Sequence, residues 1–204
     1  MDMHTLLKRH PILSDQITQQ ELQVILRELE GILEKSVSGD IVELGCYVGT
    51  TSLFIQRILR TEVTKREFHV YDSFAGLPPK TVYDNSPAGE QFKAGELQTS
   101  KQTFIKNFKQ AGLPMPIIHK GWFDQLQTRD LPGSIAFAFL DGDFYASIAD
   151  SLKLVWPKLS AGAVTIVDDY QAEALPGARH AVDEWLQDHP ATLRVEASLA
   201  IIYR

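Results

Sequence analysis

The sequence predicts an α/β fold: a mostly parallel, seven-stranded sheet with helices on both faces and a C-terminal antiparallel strand pair. Short apolar runs alternate along the chain with amphipathic stretches, which is typical of strand–helix–strand units and a parallel sheet. The chain finishes with two adjacent apolar runs, 191–197 and 199–204, that suit an antiparallel pair. Its 204 residues, 44% of them hydrophobic, suffice for one compact domain with a substantial core.

The predicted helices are stretches in which apolar residues recur every three or four positions. In 20–36 this stripe consists of Leu22, Ile25, Leu26, Leu29 and Leu33. The other predicted helices are 50–63, 101–112, 147–159 and 177–189. Gly112 and Pro114 are typical helix-ending residues and place the end of the second of these four.

The predicted strands before the final pair are the apolar runs 40–46, 67–72, 115–123, 134–143 and 162–170. We therefore divide the chain into an N-terminal helical segment, 1–37, and a larger domain, 38–204. Within that domain, residues 73–100 form a loop of unusual length, which is typical of either a lid over a site or a disordered segment. We expect a polar loop that covers a polar acceptor with an aromatic wall from Tyr83 and Phe92. We also expect Glu90 or Glu96 to contact substrate hydroxyls.

Composition and charge exclude several classes of function. The net charge of −6 and the lack of a basic stripe argue against nucleic-acid binding. No apolar run is long enough to span a membrane, and the N-terminus lacks a signal-peptide core, so we expect a cytoplasmic protein without membrane contact. The single cysteine, Cys46, excludes an internal disulfide and a cysteine-rich zinc site, and we interpret it as a packing residue.

The stretch VELGCYVGTTS, 42–52, runs from a strand through a glycine turn into a helix. Gly45 and Gly49 allow a tight turn and close approach of a ligand to free helix amides. Asp72, at the end of the second strand, can accept both hydroxyls of a ribose. By itself the turn is also compatible with a purely structural role. Its G-x-x-x-G spacing differs from that of dinucleotide-binding proteins, which counts against a nicotinamide oxidoreductase.

Glu43 is an acid inside a predicted buried strand, where an unpartnered carboxylate would cost several kcal/mol. Two partners would satisfy it: the amino group of S-adenosylmethionine, or a structural hydrogen bond to nearby backbone. The sequence alone leaves both open.

Four aspartates follow two apolar runs, as FLDGDFYAS and VTIVDDY. If these strands are neighbours about 4.8 Å apart, Asp141 and the pair Asp168–Asp169 converge on one point. Carboxylates that close together favour a hard divalent cation with oxygen ligands, such as Mg²⁺ or Mn²⁺. The alternative is that single acids, Asp143 above all, cap the helices that follow.

Together with VYDSFAGLP and KGWF, these motifs in this order resemble the macrocin O-methyltransferase (TylF-like) family from about residue 38 onward. The resemblance implies a Rossmann-like class I methyltransferase fold, S-adenosylmethionine as methyl donor and a divalent metal, usually Mg²⁺. It implies metal ligation by Asp141, Asp168 and Asp169 and a general base at Asp143.

The same resemblance implies a set of cofactor contacts. Expected at the methionine end are Glu43, Gly45, Tyr47 and Gly49, with Thr50, Ser52 and Asp141 beside them. Asp72 and Ser73 are expected at the ribose, and Gly121, Trp122 and Phe123 at the adenine. For Trp122 and Phe123, a place in the core is the alternative.

His180 is either a second base or substrate contact, or a surface histidine. The expected acceptor is a small hydroxylated molecule, best a sugar on a secondary metabolite. Alternatives are a catechol-type O-methyltransferase and a non-catalytic module that binds S-adenosylmethionine in a biosynthetic pathway. A homo-oligomer is compatible with the resemblance.

Overall fold

The computed structural model describes residues 3–88 and 91–204, and Glu90 lies outside the described residues. Seven strands form one sheet. They are β1 (Asp40–Leu44), β2 (Phe68–Asp72), β3 (Ile117–Lys120), β4 (Ile135–Leu140), β5 (Leu159–Val167), β6 (Thr192–Glu196) and β7 (Leu199–Tyr203).

The strand order is β3-β2-β1-β4-β5-β7-β6. The first five strands in this order pair in parallel, whereas β7 is antiparallel to both β5 and β6. The predicted fold class is thereby confirmed. Strand order reverses between β1 and β4, and sheets of this kind bind ligands beyond the carboxyl ends of the strands at such a point.

Six α-helices accompany the sheet: α1 (Met3–Arg9), α2 (Gln19–Glu34), α3 (Thr50–Leu59), α4 (Lys101–Ala111), α5 (Tyr145–Val155) and α6 (Pro176–Asp188). Helices α3 and α5 each end four residues before the predicted end, a larger difference than for the other predicted helices. After α3, the Thr61 hydroxyl donates to the carbonyl of Ile58 at 2.8 Å and closes the last turn. After α5, a 3₁₀ turn over Trp156–Lys158 contains a proline, whose missing amide cannot continue the helix.

The core consists of two layers separated by the sheet. Side chains of α1 to α4 pack on one face and those of α5 and α6 on the other. Along β1, Ile41 joins the first layer and Val42 the second, as the alternation of a strand dictates. The whole predicted stripe of α2 is buried in the first layer, so the N-terminal segment shares the core of the domain.

Helix α2 begins at a capping box formed by Thr18 and Glu21. The Glu21 amide donates to the Thr18 hydroxyl at 3.2 Å, and the Thr18 amide donates to the Glu21 carboxylate at 2.7 Å. The capping box, a motif of residues three positions apart, determines where α2 begins and the direction in which the preceding residues approach it. Among the helices in 3–88 and 91–204, we find none with the length and apolar character of a membrane span.

Candidate active site at the carboxyl edge of the sheet

A cavity of about 600 Å³ opens where the parallel strands end. Its wall comes from the glycine turn after β1, the end of β2 and the segments after β3, β4 and β5. The predicted site residues that line it are Gly45, Tyr47, Asp72, Ser73, Gly121, Trp122, Phe123, Asp141, Asp143 and Asp169. Trp122 and Phe123 therefore contribute to the cavity wall, although Phe123 also packs against the second core layer.

Gly45 brings the turn after β1 against the end of β4. Its φ is +92°, and a Cβ built on it would lie 1.7 Å from the carbonyl oxygen of Asp141. Its amide donates to the carbonyl of Tyr71 at 2.8 Å, which ties the turn to β2 as well. Only glycine fits this position, because any side chain would collide with backbone atoms.

Asp72 fastens the glycine turn to the end of β2. One of its carboxylate oxygens accepts the amides of Cys46 at 2.8 Å and Tyr47 at 3.0 Å, and the other accepts the amide of Phe74 at 2.6 Å. Since a carboxylate offers about four acceptor positions, roughly one remains for a ribose hydroxyl. The sequence did not indicate this bracing role of Asp72.

Glu43 lies behind the cavity wall, with 1% of its surface exposed. The Ser52 hydroxyl of α3 donates a short hydrogen bond to it. Burial raises the pKa of Glu43 to about 8, against the lowering effect of that hydrogen bond and with a contribution from the charge of Asp72. The described residues therefore supply a structural hydrogen bond to Glu43, but it comes from a side chain and not from the backbone as expected.

Three further expected residues lie behind the same wall. Gly49, with φ of +89°, precedes the first turn of α3, and Thr50 and Ser52 are buried in that turn. None of the three is among the described residues lining the cavity. Burial raises the pKa of the neighbouring Cys46 thiol well above its usual range, which agrees with the packing role predicted for it.

Three carboxylates converge on one side of the cavity. Asp141, Asp143 and Asp169 each present an oxygen within 4.8 Å of the other two. Asp143 and Asp169 both have φ of +59°, a left-handed conformation that L-residues adopt at a cost. Backbone strain of this kind is concentrated at functional sites, where the surrounding structure holds it in place.

The convergence makes ionisation of these acids unfavourable. Burial raises the pKa values of Asp141 and Asp169 well above the usual range, and the charge of Asp168 raises both further. Burial and the charge of Asp72 raise the pKa of Asp143 to about 7. A cation at this point would relieve the repulsion, and the all-oxygen donor set fits a hard ion.

Asp168 differs in position from the three converging acids. It is 3% exposed, and one of its carboxylate oxygens accepts the amide of Asp169 at 2.9 Å. Burial, with the charge of Glu21 next, raises its pKa to about 8. The predicted ligand trio contained Asp168, whereas the trio that the geometry brings together contains Asp143.

The structure does not bring His180 into the cavity. It is an exposed residue of α6, and its ring lies 4.5 Å from that of Tyr83 and 6.2 Å from that of Tyr145, measured between centroids. It is not among the described lining residues. Of its two interpretations, the surface histidine is the one that this position supports.

Two lining residues come from a part of the chain that the sequence did not connect with the site. Asp15 and Gln16 precede α2 and reach the cavity from the N-terminal segment. The Gln16 side-chain amide donates to the Asp15 carboxylate at 2.8 Å. The capping box predicts the start of a helix but carries no information on what lies in front of it.

The long loop has a defined conformation over its described residues. Leu77 and the segment 95–96 exchange two backbone hydrogen bonds of 2.9 Å, and Lys80 donates to the carbonyl of Gln91 at 2.7 Å. The loop turns apolar side chains toward the cavity, namely Leu77, Pro78, Pro79, Phe92 and Leu97. The part of the loop that lines the cavity is less polar than expected, because Ser73 is the one polar side chain among its described lining residues. Of the two expected aromatic residues, Phe92 lines the cavity, whereas Tyr83 is not among the described lining residues. Glu96 instead accepts the amide of Lys93 at 3.0 Å.

Comparison with known proteins identifies the family. The profile of the macrocin O-methyltransferase (TylF) family matches residues 10–199. The chain is 33% identical over 159 residues to 8-demethyl-8-(2,3-dimethoxy-alpha-L-rhamnosyl)-tetracenomycin-C 4'-O-methyltransferase of Streptomyces olivaceus, a match covering 74% of this chain and 60% of that protein. It is 32% identical over 170 residues to mycinamicin III 3''-O-methyltransferase of Micromonospora griseorubida, covering 79% and 65% respectively.

Among solved structures, the O-methyltransferase NovP superposes with a TM-score of 0.75 at 29% identity, covering 90% of this chain and 78% of NovP. The matches to the two curated relatives span 60% and 65% of those proteins' lengths. The family profile, however, covers nearly all of the present sequence. On this evidence, the chain belongs to the macrocin O-methyltransferase (TylF) family.

Proposed function

We propose that this chain is an S-adenosylmethionine-dependent O-methyltransferase that acts on a hydroxyl of a small acceptor. The observation that carries the proposal is the convergence of Asp141, Asp143 and Asp169 across one cavity from the glycine turn. Family membership supports it, because the two curated relatives are named as O-methyltransferases.

The cofactor occupies the side of the cavity formed by β1, β2 and the segment after β3. Gly45 and Tyr47 border its methionine end, and Asp72 with Ser73 its ribose, using the remaining acceptor position of the Asp72 carboxylate. Trp122 and Phe123 supply a flat apolar surface for the adenine. Glu43, Gly49, Thr50 and Ser52 act from behind the wall by holding the turn in shape. The cofactor supplies an electrophilic methyl group on a sulfonium.

Asp141 and Asp169 would hold a divalent cation, Mg²⁺ or Mn²⁺, with Asp168 as the third ligand that the family resemblance implies. The donor set supports this assignment, because carboxylate oxygens select hard cations and the raised pKa values mark a site short of positive charge. When bound, the ion lowers the pKa of an acceptor hydroxyl and orients it.

Asp143 acts as the general base. Its carboxylate oxygen lies within 4.8 Å of those of Asp141 and Asp169, which places it beside any hydroxyl held at this cluster. As the acceptor oxygen takes the methyl group, Asp143 takes the hydroxyl proton. The acceptor's O–H bond and the S–C bond break, an O–C bond and an O–H bond on Asp143 form, and S-adenosylhomocysteine leaves.

The acceptor is a neutral or cationic molecule with an apolar part. Acids contribute strongly to the lining, namely Asp15, Asp72, Asp124, Asp141, Asp143, Asp150 and Asp169, while no Lys, Arg or His of the described chain does. Such a wall repels phosphate groups. A sugar already attached to an aglycone fits, with its hydroxyls at the aspartates and the aglycone against the apolar loop wall.

The apolar loop wall also favours a second candidate. A flat catechol could lie between Phe92 and Leu97 with its two oxygens at the aspartates. The two acceptors differ in shape rather than charge, so a direct comparison of the two substrates distinguishes them.

The first experiment is calorimetric titration of S-adenosylhomocysteine into the purified protein, with Mg²⁺ and then with EDTA. We expect micromolar binding in both conditions, because the cofactor contacts do not include the metal. Absence of binding in both would overturn the methyltransferase proposal. Incubation with S-adenosylmethionine, Mg²⁺ and either glycosides or catechols, followed by mass spectrometry, then identifies the acceptor class.

A further inference from the structure

A second cluster of ionisable side chains lies at the opposite edge of the sheet. Asp40 begins β1, and Glu67 and His69 stand at the start of β2. One potential ligand atom of each lies within 4.8 Å of those of the other two. None of the three lines the cavity described above, so the proposed methyl transfer makes no use of them.

The spacing within the cluster suits a small metal ion. His69 Nε2 lies 3.3 Å from a carboxylate oxygen of Glu67. Two ligands bound to zinc at about 2.0–2.1 Å in a tetrahedral site are separated by about 3.3–3.4 Å. Asp40 is held next to this pair, because one of its carboxylate oxygens accepts the amide of Glu67 at 3.0 Å.

The imidazole of His69 provides an independent observation. The residue is 8% exposed, and its Nε2 is buried without a hydrogen-bond partner, since the approach of Glu67 lacks hydrogen-bond geometry. A buried ring nitrogen left in this state has lost its hydrogen bond to water without gaining another, which is unfavourable. A ligand for Nε2 would remove that cost.

The other ring nitrogen of His69 is already engaged. Its Nδ1 lies 3.1 Å from Nε2 of His119 on β3, and the two rings stack with centroids 5.4 Å apart. His119 is in turn stacked on Tyr71 at 4.3 Å. When Nδ1 donates its proton to His119, the lone pair of Nε2 faces the two carboxylates. Metal-ligating histidines are usually held by such a hydrogen bond from the second nitrogen.

We infer that Asp40, Glu67 and His69 bind a divalent transition-metal ion of the zinc class, with His119 orienting the imidazole. One imidazole and two carboxylates favour zinc or cobalt over magnesium, which prefers oxygen ligands. The ion would join the start of β1 to the start of β2. It would therefore act on stability rather than on the chemistry at the other edge of the sheet.

The test is calorimetric titration of Zn²⁺ into an Asp169→Asn variant in excess Mg²⁺, which suppresses binding at the aspartate cluster. We expect one stoichiometric event. Loss of a residue that hydrogen-bonds a metal ligand lowers metal affinity about 10–100-fold. His119→Phe removes the hydrogen bond to His69 but keeps the stacking on Tyr71, so we expect it to lower Zn²⁺ affinity by a factor in that range. Glu67→Gln and Asp40→Asn should weaken binding at least as much. Glu67 is largely exposed and Asn can still accept the Glu67 amide, so both variants should fold.

His180→Ala is the matched control and should bind Zn²⁺ like its parent. A second readout uses ¹⁵N-labelled histidine, in which the Nε2 resonance of His69 should shift on Zn²⁺ addition while that of His180 does not. Absence of a stoichiometric event would overturn the inference. So would an event insensitive to both Glu67→Gln and Asp40→Asn, or one lost in His180→Ala.

Discussion

The amide of Tyr145, the first residue of α5, donates to the Asp84 carboxylate at 2.7 Å. Asp84 belongs to the long loop, 61 residues earlier, and its other oxygen accepts the amide and hydroxyl of Thr81 at 2.7 and 2.8 Å. The residue before α5, Phe144, makes no side-chain cap of its own. The loop therefore supplies the cap of the helix that follows the aspartate turn, and links its own conformation to the site.

Replacing Asp84 by Ala should destabilise the protein by about 1–3 kcal/mol, because a helix cap and several buried hydrogen bonds are lost. Denaturant unfolding measures the change in free energy, and amide exchange should accelerate across 77–97. The control is Asp130→Ala, which removes the hydrogen bond from the Gln127 amide to the Asp130 carboxylate in an exposed 3₁₀ turn outside the loop. It should leave amide exchange in the loop unchanged. Unaltered loop exchange in Asp84→Ala would show that the loop does not depend on this contact.

Two glycine-to-alanine substitutions should have opposite effects. A Cβ on Gly177 of α6 would lie 1.8 Å from the Asp84 carboxylate, so Gly177→Ala should cost about 1–3 kcal/mol through overpacking. Gly31 of α2 has open space at its Cβ, so Gly31→Ala should stabilise by about 0.5–1 kcal/mol. Thermal and denaturant unfolding of both variants measures this. Equal effects would mean that Asp84 does not pack against α6 as described.

The roles of Asp143 and Asp168 can be separated by metal affinity. If Asp168 is a ligand and Asp143 the base, Asp168→Asn should weaken Mg²⁺ binding at least about tenfold. Asp143→Asn should keep Mg²⁺ binding within a few-fold while turnover falls about 10²–10⁴-fold. Calorimetry and single-turnover kinetics on the two variants give both quantities. The reverse pattern would make the observed trio of Asp141, Asp143 and Asp169 the ligand set.

Glu43 should make stability depend on pH in the absence of cofactor. Its pKa is raised from 4.5 to about 8 in the folded protein, so the folded state holds the proton more tightly. Its contribution is fully present at low pH and is lost as pH rises toward about 8, at up to about 1.4 kcal/mol per pH unit. The stability of wild type relative to Glu43→Gln should therefore decline from pH 5 to 8 and then level. Glu34→Gln, at an exposed site of α2, should follow wild type throughout. A flat difference between wild type and Glu43→Gln would contradict the shift.

The acidic cavity should discriminate between acceptors by charge. Transfer to a neutral glycoside should exceed transfer to the same sugar carrying a diphosphate by about tenfold or more, because like charges across a contact are repulsive. Competition between the two acceptors, followed by mass spectrometry, gives the ratio. Asp124 and Asp150 line the cavity but do not belong to the converging trio of aspartates. The double variant Asp124→Asn, Asp150→Asn should therefore lower the ratio of transfer to the glycoside over transfer to the sugar diphosphate. A preference for the sugar diphosphate would show that the acidic residues of the cavity wall do not exclude anionic acceptors.

The sequence by itself determined the elements and the rim on which the acids lie. The continuous apolar run of β4 and the leucine stripe of α2 are buried as their periodicity predicts. Alternation of strands and helices predicts parallel pairing, and this places Asp72 and Asp141 at the same edge of the sheet. These features follow from the periodicity with which side chains return to the same face, which is two residues in a strand and about four in a helix and is set by local backbone geometry.

Only the tertiary structure decided which of those acids meet and what completes the site. It turned Asp143 rather than Asp168 toward Asp141 and Asp169, and it placed Asp15 of the N-terminal segment in the same wall. The cap that Asp84 gives to α5 is equally invisible in the sequence. Such contacts join residues tens of positions apart. They depend on how the packed layers bring loops together, for which a local pattern carries no signal.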